Sequence, residues 1–168
     1  MQYQQNQTFE EVIETNKLKI FRICRIYAVN PITAEDLFQE VIYQIWKSYT
    51  SFKGKSSIST WIYKIALNVC IRFKEKLDKK NGKTVRLDGI QIETKENSST
   101  SMNDEKFQAL QSCIENLNPL DKSIVILSLE ELAYKEIAEV TGLTENHIAV
   151  KMKRIRKKLL KCITTKIK

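Results

Sequence analysis

The sequence predicts an all-α fold made of two small helical domains joined by a flexible linker, with a helix-turn-helix in the C-terminal one. Three observations predict it. Apolar residues recur at three- and four-residue steps near both ends of the 168-residue chain. Only 4 Gly and 2 Pro occur, too few for a turn-dense all-β chain, and both prolines stand between periodic stretches. Near the C-terminus a short turn holding Gly142 separates two helical patterns.

The first domain is expected over residues 8–76. Phe9, Val12, Ile13, Ile20, Phe21, Cys24 and Tyr27 mark one helix, which Asn30-Pro31 breaks. Thr33 can cap a second helix, with Glu35 and Asp36 in its first turn, where the helix dipole favours anions. Its apolar set is Leu37, Phe38, Val41, Ile42, Ile45, Trp46 and Tyr49. A loop rich in Ser, Thr, Lys and Gly follows over residues 50–57, then a third helix carrying Ile58, Trp61, Ile62, Ile65, Ala66 and Val69.

Periodicity fades over residues 77–104, which read as a flexible linker. Its roughly 28 residues would average about 30 Å end to end as a coil. Fully extended they reach about 95 Å, so the two domains can act on separated sites. The second domain is expected over residues 105–168. Phe107, Leu110, Cys113, Ile114 and Leu117 mark its first helix, ended by Asn118-Pro119. Asp121 can cap the next, which carries Ile124, Val125, Leu127 and Leu129. Each domain has about 60–70 residues and would be marginal alone.

The sharpest signal follows. Ile137, Ala138 and Val140 are the buried set of one short helix, and Ala138 is small where a second helix would cross closely. Gly142 sits just past its end, where a left-handed conformation costs Gly least. Leu143 plugs the corner and Thr144 can cap the second helix. That helix is about 20 residues, roughly 30 Å long, with the apolar stripe Ile148, Met152, Ile155 and Leu159. Its other faces carry Lys151, Lys153, Arg154, Arg156, Lys157, Lys158 and Lys161, and no acid follows Glu145. In a recognition helix the N-terminal residues reach base edges and flanking cations grip phosphates. That places Glu145, Asn146, His147, Val150 and Lys151 at bases, and Arg154, Lys157 and Lys158 at phosphates. A charge run alone would be an ordinary solvated face. The Ala-x₃-Gly-Leu-Thr spacing joined to an all-basic helix favours nucleic acid instead.

The net charge of +8 agrees with a polyanionic partner, although solubility alone would also explain it. Residues 1–8 carry no charged side chain and no apolar run, unlike a signal peptide. The densest apolar run, residues 124–127, falls far short of the about 20 residues a bilayer span needs. A cytoplasmic protein without membrane insertion is expected. The four cysteines, Cys24, Cys70, Cys113 and Cys162, are widely spaced with no CxxC, and His147 is the lone histidine. Neither a metal site nor a disulfide framework is expected; buried, reduced thiols are. No carboxylate cluster, Gly-rich phosphate loop or Cys/His dyad appears, so no enzyme activity, cofactor or small-molecule substrate is expected.

Taken together, three stretches resemble the bacterial sigma factors of the small, two-domain extracytoplasmic-function group. Ala34-Glu35-Asp36-Leu37-Phe38-Gln39-Glu40-Val41 with Ile45-Trp46 is similar to the family helix that docks on the RNA polymerase clamp. Phe52-Lys53-Gly54-Lys55-Ser56-Ser57-Ile58-Ser59-Thr60-Trp61-Ile62-Tyr63-Lys64-Ile65-Ala66-Leu67-Asn68 resembles the loop and helix that open promoter DNA. Residues 117–159, beginning Leu117-Asn118-Pro119-Leu120-Asp121-Lys122, resemble the C-terminal DNA reader.

The resemblance implies that Asp36, Gln39 and Glu40 bind core RNA polymerase; acids on a basic protein would repel DNA and suit a protein partner. It implies that Phe52, Lys53, Lys55, Trp61, Tyr63, Lys64 and Asn68 meet the non-template single strand of the minus-ten element, with a base flipped into the loop. Cations and π-faces are what exposed bases need, though Trp61 can equally be core. It further implies double-stranded promoter DNA at the minus-thirty-five element and an anti-sigma factor as partner. Ala149 and Lys151 stand where the family commonly has a basic residue and Arg. Lys lacks the Arg fork that reads guanine. A stand-alone helix-turn-helix regulator is the alternative, and a nucleic-acid-processing enzyme a third reading.

Overall fold

A computed structural model describes residues 7–81 and 102–167. Its described residues form seven α-helices and no strand: α1 Phe9–Tyr27, α2 Ala34–Ser48, α3 Ile58–Asn81, α4 Met102–Glu115, α5 Pro119–Leu129, α6 Tyr134–Thr141 and α7 Glu145–Lys166. A 3₁₀ turn, Tyr49–Ser51, follows α2. The helix α3 continues to Asn81, into the stretch read as linker, and the rest of that stretch up to residue 101 lies outside the described residues.

Local chemistry sets most helix starts. At α1, Thr8 and Glu11 exchange side-chain-to-backbone bonds in a capping box, and Thr33 with Asp36 do the same at α2. At α5 the cap is Asn118, with Pro119 in the first helical turn, rather than the Asp121 expected from sequence. Asp121 lies three residues inside, donating its N–H to Asn118 Oδ1 at 2.8 Å. Pro fits that first turn because its missing N–H has no partner there. Ala133 starts α6 without a side-chain acceptor, and Glu136 Oε2 takes its N–H at 2.9 Å.

The helices α1, α2 and α3 pack around Ile20, Ile23, Leu37, Val41, Ile45 and Ile62, all essentially inaccessible. Burial of each such side chain stabilises by roughly 1.5–3 kcal/mol. Buried Asn16 is satisfied twice, donating to Val12 O at 2.8 Å and accepting from Tyr63 at 3.0 Å. In the second half, α5 is buried along most of its length and α7 packs on α4, α5 and α6.

The halves also touch one another. The helix α3 packs on α6, and Arg22 on α1 grips Glu130 at the end of α5 with both nitrogens of its fork. The Tyr27 hydroxyl lies 2.7 Å from Ser123 Oγ, and Lys122 Nζ sits over the Tyr27 ring.

One expectation about the cysteines fails. Cys24 and Cys70 are buried free thiols, but Cys113 on α4 and Cys162 on α7 form a disulfide. The pairing spans 49 residues of sequence, and only the folding of α7 back along α4 brings the two sulfurs together.

Candidate promoter-DNA and polymerase interfaces

The helix-turn-helix is assembled as its residues demand. Ile137 and Val140 of α6 and Ile148 of α7 are buried at the crossing. Gly142 holds φ +75°, and a Cβ there would meet nothing within 4 Å. The need for Gly is thus conformational and not a matter of space. Thr144 Oγ1 accepts the His147 N–H at 3.3 Å, which starts α7.

Glu145, Asn146, His147 and Val150 are exposed on the leading turns of α7, and Arg154 and Lys157 are exposed farther along. Two of the expected DNA contacts are engaged within the protein. Lys151 Nζ lies 3.0 Å from Asp121 Oδ1, and Lys158 Nζ lies 3.9 Å from Oδ2. The Asp121 carboxylate is buried and also accepts from Asn118 Nδ2 at 2.8 Å. Lys151 is therefore half-buried and tethered, a posture set by α5 that α7's own sequence does not disclose.

On α2, Leu37, Val41 and Ile45 face the core. The Asp36 carboxylate accepts the Thr33 N–H at 3.0 Å, which holds its pKa below the usual carboxylate value. Its role at the helix cap is thereby visible. Gln39 is exposed, and half-buried Glu40 accepts from Gln44 at 2.8 Å. Two aromatic residues stand out beside them, Trp46 from the stretch likened to the docking helix and Tyr43, which sequence reading did not assign. Tyr43 and Trp46 are 50% and 62% exposed and stack with centroids 6.3 Å apart. With Phe9, Phe38, Gln39 and Ile42 they line an apolar cleft of about 370 Å³. The signal was available: residues 39, 43 and 46 form a second helical stripe beside 37, 41 and 45.

The loop before α3 turns at Gly54, φ +67°. Ser57 Oγ accepts the Thr60 N–H at 3.1 Å and so starts α3. Lys53, Lys55, Lys64 and Asn68 are exposed. Phe52 and Trp61 are half-buried and pack on each other with centroids 5.2 Å apart. Asn68 lines a cleft of about 370 Å³ with Gln44, Ser48, Ile65, Ile71 and Arg72. Tyr63 departs from the set: it is 4% exposed, its hydroxyl is bonded to Asn16, and burial raises its pKa to about 12. Its ring is a core element and offers no face for a base.

Comparison with known proteins follows this geometry. Residues 12–80 match the family Sigma-70 region 2, and residues 107–159 match Sigma-70, region 4. The RNA polymerase sigma factor SigV of Bacillus subtilis is 30% identical over 147 residues, covering 86% of this chain and 84% of that protein. The chain belongs to the extracytoplasmic-function sigma factors. Two sigma-factor regions in one chain do not favour a stand-alone regulator.

The sigma factor SigG of Mycobacterium tuberculosis is 53% identical over 38 residues, 23% of this chain and only 10% of the relative's length. The sigma factor RpoE of Bartonella quintana, solved in complex with the anti-sigma factor NepR, shares the fold with a TM-score of 0.73. It is 18% identical, and the match covers 93% of this chain and 96% of that one. No helix among the described residues of the present sigma factor is long and apolar enough to cross a membrane.

Proposed function

We propose that this sigma factor divides its work between two ends, in the cytoplasm where RNA polymerase operates. The domain of residues 8–76 docks on core RNA polymerase through Asp36, Gln39 and Glu40, with Tyr43 and Trp46 supplying the apolar area. Phe52, Lys53, Lys55, Trp61, Lys64 and Asn68 take the non-template strand of the minus-ten element and help to hold it open. The linker joins this first domain to the domain of residues 105–168, which reads the minus-thirty-five duplex with α7. The factor catalyses no reaction itself.

One observation carries this reading. The chain presents an aromatic and acidic face on α2 and a basic face on α7, at opposite ends of the sequence. The aromatics favour a protein partner, because exposed Tyr and Trp are the residues that anchor interfaces. The lysines and arginines favour phosphate, each neutralised phosphate adding about −0.9 to the salt slope of binding. An anti-sigma factor as a further partner is supported by the fold shared with RpoE, which was solved with one.

Run-off transcription by core polymerase, with and without the chain, tests the proposal. Defined start sites are expected only with the chain present. Core enzyme that gains no promoter-specific initiation would sink it.

A further inference from the structure

We infer that Cys113 and Cys162 form a thiol–disulfide exchange site whose closed state holds the DNA-reading domain folded; the inference rests on the proposed function for its compartment and its output.

All four cysteines meet a second cysteine in space, and the two pairs contrast. Cys24 on α1 and Cys70 on α3 are both 0% exposed. The Cys70 thiol is hydrogen-bonded to Cys24, and that bond together with burial pushes its pKa upward. A sealed thiol disfavoured as thiolate is inert toward exchange. The other pair is built differently. Cys113 is 2% exposed, but Cys162 lies half-buried on the last turns of α7, within reach of a small reagent. Lys161 precedes Cys162 on α7, and Lys166 lies about one turn farther on. Lys166 also hydrogen-bonds Ser112, next to Cys113, at the same α4–α7 contact. That positive surround favours the approach of an anionic low-molecular-weight thiol or disulfide.

The position of the bridge gives it consequence. The crosslink closes a 49-residue segment holding α5, α6 and most of α7, which is the whole helix-turn-helix. Closing a loop of that size removes much unfolded-state freedom. A domain this small has little stability to spare without it. Disulfides are rare in the reducing interior where a polymerase subunit works, and those present there are usually redox-responsive.

Closure by exchange balances simply. The Cys162 thiolate attacks a small disulfide such as oxidised glutathione, forming a mixed disulfide and releasing one small thiolate. The Cys113 thiolate then attacks Cys162 Sγ and expels the second. Two protein thiols are oxidised to one cystine while one small disulfide is reduced to two thiols. Reduced glutathione reverses both steps.

The test uses the full chain equilibrated in mixtures of reduced and oxidised glutathione. Alkylation and mass spectrometry should find two free thiols in the closed form, Cys24 and Cys70, and four in the open form. The closed form should melt on the order of 10–20 °C higher, and at growth temperature it should bind a promoter duplex at least severalfold tighter. Cys162→Ser should melt like the open form and ignore glutathione. Cys113→Ala serves as the second variant: it should also melt like the open form, but Cys162 should stop at the mixed disulfide, seen by mass spectrometry as one glutathione adduct. Equal melting and equal duplex affinity for the two forms would overturn the inference. So would a bridge that no glutathione mixture opens, which would make it a permanent brace. Melting and duplex binding need no polymerase, so failure here is distinct from failure of promoter-specific transcription.

Discussion

Replacing Asp121 by Asn removes a carboxylate that competes with DNA for two of the α7 lysines. Asp121 is buried, lies 3.0 Å from Lys151 and 3.9 Å from Lys158, and also accepts from Asn118. Removing one partner of a fully buried pair costs about 3–5 kcal/mol. Here Lys151 is 33% exposed and Lys158 64%, so water takes over much of their solvation and the cost falls to about 1–2 kcal/mol. Asn keeps the length of Asp and an oxygen acceptor, so the Asn118 cap survives.

For a domain of this size a loss of that order lowers the melting temperature by roughly 5–15 °C. DNA binding should move the other way. The α7 face gains one net positive charge and two untethered lysines, so low-salt duplex binding tightens. The slope of log K against log salt should steepen by about 0.9 for each lysine that reaches a phosphate only when released. Fluorescence anisotropy of a labelled duplex over a salt series, with thermal melts in parallel, reads both. A variant that melts lower while its low-salt duplex affinity and its salt slope both stay unchanged would show that neither Lys151 nor Lys158 is drawn to DNA when released, and the assignment of these two residues would fail.

Further predictions concern other parts of the molecule. Tyr43→Ala with Trp46→Ala should weaken binding to core polymerase at least tenfold, while helicity and duplex affinity stay unchanged, since both rings are exposed; wild-type affinity in a pull-down titration would refute the α2 face. Gly142→Ala should cost roughly 1–2 kcal/mol by chemical denaturation, because the site is open and only its positive φ resists a Cβ; a neutral result would mean the turn adopts another conformation. Stability should also fall in strong alkali. Burial raises the pKa values of Tyr27 and Tyr63 from 10.0 to about 12. Each raised phenol contributes stability that is complete below pH 10 and lost as pH rises through about 12. Tyrosinate absorbance rising together with loss of structure is the expected result. Early titration of all six tyrosines near pH 10 in the folded chain would contradict it.

The sequence by itself determined what is decided within a few residues. Helix starts at Thr8, Thr33 and Thr144 follow from side-chain oxygens reaching N–H groups two or three positions on. The stripe Ile148, Met152, Ile155 follows from the helical repeat, and the Gly142 turn from the one residue that takes a positive φ without strain. These are local forces, so the two helical blocks and the recognition helix were readable from the chain alone. Asp121, by contrast, looked like a cap because its partner Asn118 competes for that role from three residues away.

What only the tertiary structure decided involves residues far apart in sequence. Tyr63 became core because Asn16 offers its hydroxyl a partner 47 positions away. Trp46 reached the surface because α1 and α3 cover the other side of α2. Arg22 found Glu130 across 108 residues, and Cys113 found Cys162 across 49. Periodicity tells which side of a helix is buried, but not which partner comes to bury it; that depends on how whole helices settle against one another to remove the most apolar surface from water while leaving no buried polar group unpaired.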